Sequence, residues 1–281
     1  MCPLLLGLTL ASPASAQILV RNGGIPSPNT PQLGADLRFF EADELQESRL
    51  TTRLAWSFDG RTGFEIEVPL VQRDATFGAS TDDATALGDV ELRVQRSLFQ
   101  ADDVLASTRW AVFADLRLPT GDDDALRGPN GPFPRLLQPG MGSLGIGAGA
   151  VWTRIRDRHR FSAELHALWN DEDGGFQMGT EIHAGLSYWY RLRPATFDAE
   201  HHVTEVRPVL ELLLTQRFES ERDGRGTGDE GALGWVAPGV QVFPREDLLV
   251  QASVALPFIN EIDDVLGRRD WAALLSFRFY F

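Results

Sequence analysis

Two short stretches carry the side chains best suited to chemistry, Glu164-Leu165-His166 and Glu181-Ile182-His183. In each, a carboxylate and an imidazole stand two residues apart, so on an extended strand both point to the same side. Two imidazoles and two carboxylates on neighbouring strands could hold a divalent metal if the rings stayed open to it. The plainer use of such groups is a hydrogen-bonded wall, and that is the expectation here, with no metal site. Ser162 and Ser187 share the same parity, which raises a Ser–His hydrolase. No nucleophile signature surrounds either serine, so no catalytic residues, no cofactor and no enzyme activity are expected.

The elements that position these groups have a strand period of two. Trp271, Ala273, Leu275, Phe277, Phe279 and Phe281 fall on one face of a closing segment, and Ala272, Leu274, Ser276, Arg278 and Tyr280 on the other. The same alternation recurs from Leu50 onward in segments of about ten residues separated by turns or polar loops. Leu37–Phe40 is a weaker candidate. No stretch settles at the helical spacing of 3.6. The count is about twelve strands, an even number, as single-chain bacterial barrels require.

The connections fall into two classes. Short ones, "DGRT" at 59–62, "QADD" at 100–103, "RDRH" at 156–159 and "PRED" at 244–247, alternate with long polar or acidic ones at 74–87, 119–139, 218–230 and 257–268, except that 193–203 is long where a short one is due and 170–174 short where a long one is due. Short turns at one end and long loops at the other mark a transmembrane barrel. The fold class is therefore all-β, a transmembrane antiparallel β-barrel of the bacterial outer membrane. Its apolar face meets lipid, with Trp56, Phe58, Trp110, Trp152, Trp169, Tyr188, Trp271 and Phe279 in the interfacial girdles. A water-soluble barrel or sandwich would turn the apolar face inward and keep loops short at both ends. Pro69, Pro208 and Pro238 fall inside strands and should mark bulges or strand ends.

The other face is the lumen. It collects Arg53, Glu65, Glu67, Glu91, Arg93, Arg109, Asp115, Arg117, Glu164, His166, Glu181, His183, Arg207, Glu211, Arg217 and Arg278. Such groups brace the wall as cross-strand ion pairs or line a wet path that biases which solutes pass.

The chain has 281 residues, with 26 basic against 40 acidic side chains and a formal net charge of −14. Every basic residue is arginine. This balance disfavours nucleic acid as a partner. The lone Cys2 excludes an internal disulfide framework. An apolar run, "MCPLLLGLTL", precedes Ala14-Ser15-Ala16, the pattern of a signal peptide over 1–16. Residues 17–33 have the Pro, Gly and Asn content of a linker, either periplasmic or a plug in the lumen, and 34–281 are the barrel.

Three stretches add a resemblance: "GDVELRVQRSLF" at 88–99, "ADLRLPTGDDD" at 114–124 and "LQPGMGSLGIGAGAVW" at 137–152, with "EVPL" at 67–70. Together they resemble the transporter-like outer-membrane family named for the meta-pathway of phenol degradation, over residues 50 to 281. The resemblance implies a barrel with a role in uptake of small, often aromatic compounds, and no catalytic set. Phe277, Phe279 and Phe281 resemble the C-terminal signal read by the outer-membrane assembly machinery.

The function expected is passive passage of small, aromatic or apolar solutes. The alternatives are a closed barrel with a structural or ligand-binding role and, third, an outer-membrane lipid hydrolase. The expected partners are outer-membrane lipid and lipopolysaccharide, the barrel-assembly machinery and the solutes themselves.

Overall fold

The computed structural model describes residues 30–196 and 203–281, together with Val20, Ile25 and Pro28. The signal peptide expected over 1–16, most of the 17–33 segment and His201-His202 lie outside the described residues.

Among the described residues, twelve strands form the barrel wall. They are β1 (Gln32–Ala42), β2 (Leu45–Ser57), β3 (Thr62–Phe77), β4 (Val90–Asp103), β5 (Ala106–Leu118), β6 (Gly145–Arg156), β7 (His159–Asn170), β8 (Glu181–Tyr190), β9 (Glu205–Arg217), β10 (Gly231–Arg245), β11 (Leu248–Asn260) and β12 (Arg269–Tyr280). Each pairs antiparallel with its sequence neighbours, and β1 closes the ring against β12 from Gln32↔Tyr280 to Ala42↔Arg269. Closure removes every free edge from the wall, as backbone groups in hydrocarbon require.

The burial pattern is inverted relative to a soluble barrel. On β7, Ser162, Glu164 and His166 are buried while Phe161, Leu165 and Trp169 are exposed; on β9, Glu205, Arg207 and Glu211 are buried and Leu210, Leu212 and Leu214 exposed. Polar residues alternate inward and apolar ones outward because the solvent outside is lipid. Rings gather near the short-turn end: Trp56 stacks on Phe64 at 5.6 Å, Trp110 meets Trp152 at 6.4 Å and Phe161 meets Tyr188 at 4.9 Å.

The short connections are tightly built. In the β2–β3 turn, Asp59 Oδ1 accepts the N–H groups of Arg61 and Thr62 at 2.8 and 2.6 Å. Those two bonds, chiefly, hold its carboxyl down at about 2. The turn after β4 falls at Val104-Leu105, beyond the expected 100–103, because the ladder continues to Asp103↔Ala106.

Two further expectations are corrected. Residues 74–87 are not a loop: β3 runs on to Phe77 and a separate strand, Ser80–Leu87, folds back on it from Phe77↔Ser80 to Leu70↔Leu87. Nor do the prolines sit at bulges, which fall at Glu41/Ala42, Ser97/Phe99, Gly234/Trp235 and Val242/Arg245. Pro69 sits where β3 exchanges β4 for Ser80–Leu87 as its partner, and Pro208 lies one residue past the last β8–β9 pair. Both positions leave one side of the strand without a ladder bond to donate, so a missing N–H costs nothing there.

At the long-loop end, the 119–144 connection is folded, not slack. Leu126, Phe133 and Leu137 are buried against Leu45 and Ala75. The Gln138 side chain ties this turn together, donating to the carbonyls of Leu126 and Phe133 at 2.8 and 3.0 Å and accepting from the Leu126 N–H at 2.9 Å.

Candidate functional site: the charged lumen

A belt of ion pairs runs round the inside of the wall. It starts at the β1–β12 seam, where Asp36 accepts a hydrogen bond from the Ser276 hydroxyl and lies 3.7 Å from Arg278 Nη2 and 3.2 Å from Arg53 Nη2. Arg53 reaches Glu67 at 2.7 Å and Glu65 at 3.8 Å. Arg93 then bridges Glu65 and Asp115, at 2.6 and 2.5 Å. Asp115 faces His166 Nε2 at 3.1 Å.

His166 and His183 sit directly opposite each other on β7 and β8, rings stacked at 5.4 Å and 18°. His183 contacts Glu181 at 3.4 Å and Thr215 at 2.9 Å, and Arg217 joins Glu181 to Asp264 at 2.7 and 2.6 Å. Each carboxylate is thus shared between strands, which pins register as well as neutralising charge.

Three of the four residues of the suspected cluster are thus joined, Glu181 to His183 and His183 to His166. His166 and His183 meet, but Glu164 pairs in register with Gly185 and Glu181 with Leu168, so the two glutamates stand at different heights. The imidazoles are spent on Asp115, Glu181 and Thr215. Ser162 bonds Thr153 Oγ1 at 3.1 Å, and not His166. That arrangement suits a braced wall more than a hydrolytic pair. Elsewhere, Arg117 donates to Asn170, and Arg207 grips Glu205 through Nε and Nη2 at 2.6 and 2.7 Å. Glu211 is fully buried beside Ser187.

The glycine ladder of β6 makes room for this belt. A Cβ on Gly147 would come 2.5 Å from His166 Nε2, and one on Gly149 would come 2.4 Å from the Phe113 ring and 2.5 Å from the Leu165 carbonyl. Gly149→Ala should cost about 1–3 kcal/mol by overpacking. The midpoint of urea unfolding in detergent checks this; an unchanged midpoint would show that the β6–β7 wall gives way freely.

Several lumen residues were not singled out from sequence. Asp36, Glu47, Arg73 and Arg160 lie before or at the edges of the recognised strands. Arg73 meets Glu47 at 2.6 Å and also donates to the Leu136 carbonyl at 3.1 Å, tying the wall to the folded 119–144 loop. Arg269 pairs with Asp264. In the acidic loops, Arg135 holds Asp123 and Asp173, and Arg127 lies 3.0 Å from Asp124. Inside the barrel, Val20 is buried against Gly185 of β8, where a Cβ would come 2.8 Å from it. Pro28 lies against Gly60 of the β2–β3 turn.

Comparison with known proteins agrees with this architecture. The family described as "Putative MetA-pathway of phenol degradation" matches residues 27–258. An outer membrane channel from Pseudomonas putida F1 superposes with a TM-score of 0.73 at 14% identity, over 94% of this chain and 100% of that one. The β domain of the Bordetella autotransporter BrkA gives 0.50 at 14% identity, over 91% and 100%. A search of curated proteins returned no match.

Proposed function

The chain belongs to this MetA-pathway phenol-degradation family of outer-membrane barrels, and from that premise we propose that it passes small solutes, aromatic or apolar ones among them, down their gradients. The observation that carries this reading is the lumen wall, where charges of both signs extend from Asp264 and Arg217 at the long-loop end to Arg207 and Glu205 at the short-turn end. Charges of both signs along the whole wall suit a polar, wetted path, and the same pairs also brace it. The mixed signs give weak ion selectivity. The short turns face the periplasm and the acidic loops the cell exterior, beside lipopolysaccharide. Phe277, Phe279 and Phe281 serve as the signal to the assembly machinery. The lumen set acts by bracing and wetting the path, and no hydrolytic step is assigned to it.

A second reading, a closed barrel that binds and does not conduct, is favoured by one observation. Val20, Phe113 and Trp189 are all buried within the lumen. Val20, buried against Gly185, narrows the path.

Planar-bilayer conductance separates the two. The full chain should give small steps, reduced by phenol and unaffected by sugars, with a shallow reversal potential across a salt gradient. A variant lacking residues 17–28 should conduct at least threefold more. Silence from both forms, once each is shown to be folded and inserted, would establish the closed barrel instead.

A further inference from the structure

Arg160 opens the short-turn end of β7. It is 3% exposed, yet among the described residues its Nε and Nη2 find no hydrogen-bond acceptor. These two N–H groups lie along one edge of the guanidinium, the edge a carboxylate grips with both oxygens. Arg207 shows that edge in use, since the same two nitrogens hold the two oxygens of Glu205.

Among the described residues, no carboxylate pairs with Arg160. The ionisable groups that act on it electrostatically are Arg207, Arg109 and the phenol of Tyr280, two cations and a neutral ring. Arg109 Nε and the Tyr280 hydroxyl are also buried without a partner. Buried polar groups are nearly always satisfied, and a buried cation beside like charges is costly until an anion arrives.

A buried indole completes the place. The indole of Trp189 carries Arg160 at 5.5 Å and Arg207 at 4.4 Å, and Phe243 lies 4.4 Å from Arg207. We propose that Arg160 and Trp189 form a binding site, at the short-turn end of the lumen, for a carboxylate carried on an aromatic ring. The carboxylate takes the free edge of Arg160 and the ring lies along the indole. Both nitrogens are shielded from water, so the entering ligand parts the side chains above them. The inference rests on the passage reading in that the site lies on the proposed path, and it gives that path a substrate class.

The test is equilibrium binding to the detergent-folded full chain by calorimetry, with benzoate, phenol and acetate as probes at neutral pH. Benzoate has charge and ring, phenol only the ring, acetate only the charge. Benzoate should bind at least tenfold more tightly than either. Arg160→Gln should weaken benzoate at least tenfold and leave phenol unchanged. Arg160→Lys, which keeps the charge but loses the two-pronged edge, guards against a folding defect and should weaken benzoate as well. Trp189→Leu should bring benzoate down to acetate.

The proposal falls if folded wild type does not bind benzoate, if both Arg160 variants bind it as well as wild type, or if acetate matches benzoate. Proteoliposome swelling in benzoate is read separately. Binding without swelling keeps the site and removes passage; swelling without binding keeps passage and removes the site.

Discussion

Arg93→Leu is expected to destabilise the barrel by about 3–5 kcal/mol, because it leaves two buried carboxylates without their shared cation. Arg93 holds Glu65 at 2.6 Å and Asp115 at 2.5 Å. Without it, the ion pair left to Glu65 is with the more distant Arg53, at 3.8 Å, and Asp115 keeps His166. The loss should appear as a lower urea midpoint for the protein folded in vesicles. Converting the partners as well, in Arg93→Leu/Glu65→Gln/Asp115→Asn, should recover most of it, since no charge is then left uncompensated. A single-variant cost below about 1 kcal/mol would place these pairs in the range of solvent-exposed salt bridges. The belt would then be hydrated throughout, and its bracing role would fall.

The second large effect lies on the opposite face of the wall. Leu186, at the middle of β8, is 57% exposed and is flanked in register by Ala163 of β7 and Leu212 of β9. Leu186→Arg should cost about 2–4 kcal/mol, the range for a cation at the bilayer midplane. Phe58→Arg, in the β2–β3 turn, should cost no more than about 1 kcal/mol, because there the guanidinium reaches the interface. Unfolding of both variants in the same vesicles gives the comparison. Equal costs would mean that the hydrocarbon band is misplaced along the strands.

The wall was legible in the sequence because two solvents act on alternate residues. Lipid outside and charge inside impose a period of two on Phe161–Trp169 and Val206–Thr215 strongly enough to be read by eye. Ser80–Leu87 escaped because it stands beyond that constraint. Its residues "STDDATAL" alternate only between half-buried and exposed, so nothing apolar marks the strand. Arg160 escaped for a different reason. It is the second residue of β7 and falls between the turn at 156–159 and the alternation that begins at Phe161, although Phe161 on the lipid side already places its neighbour in the lumen.

The His166–His183 stack needed more than parity. Parity put both rings on the same face, but only the register of β7 against β8 puts them at the same height and separates Glu164 from Glu181. Register between strands is set by turn geometry and by the partners available, and one chain's pattern does not display it. The glycine ladder was visible as a run, yet its purpose was not. That depended on Phe113 and His166 arriving from the strands on either side.

The seam between first and last strands bears on how the barrel is proofread during insertion. Asp36 of β1 gathers Ser276 and Arg278 of β12 and Arg53 of β2. A closure slipped by one residue would turn Asp36 into hydrocarbon and part it from Arg278, while Arg53 would keep Glu67 at 2.7 Å. A two-residue slip would keep the alternation but part the same contacts. One carboxylate thus ties the correct closure to the contacts of Ser276 and Arg278. The β1–β12 pairing carries its own check on register.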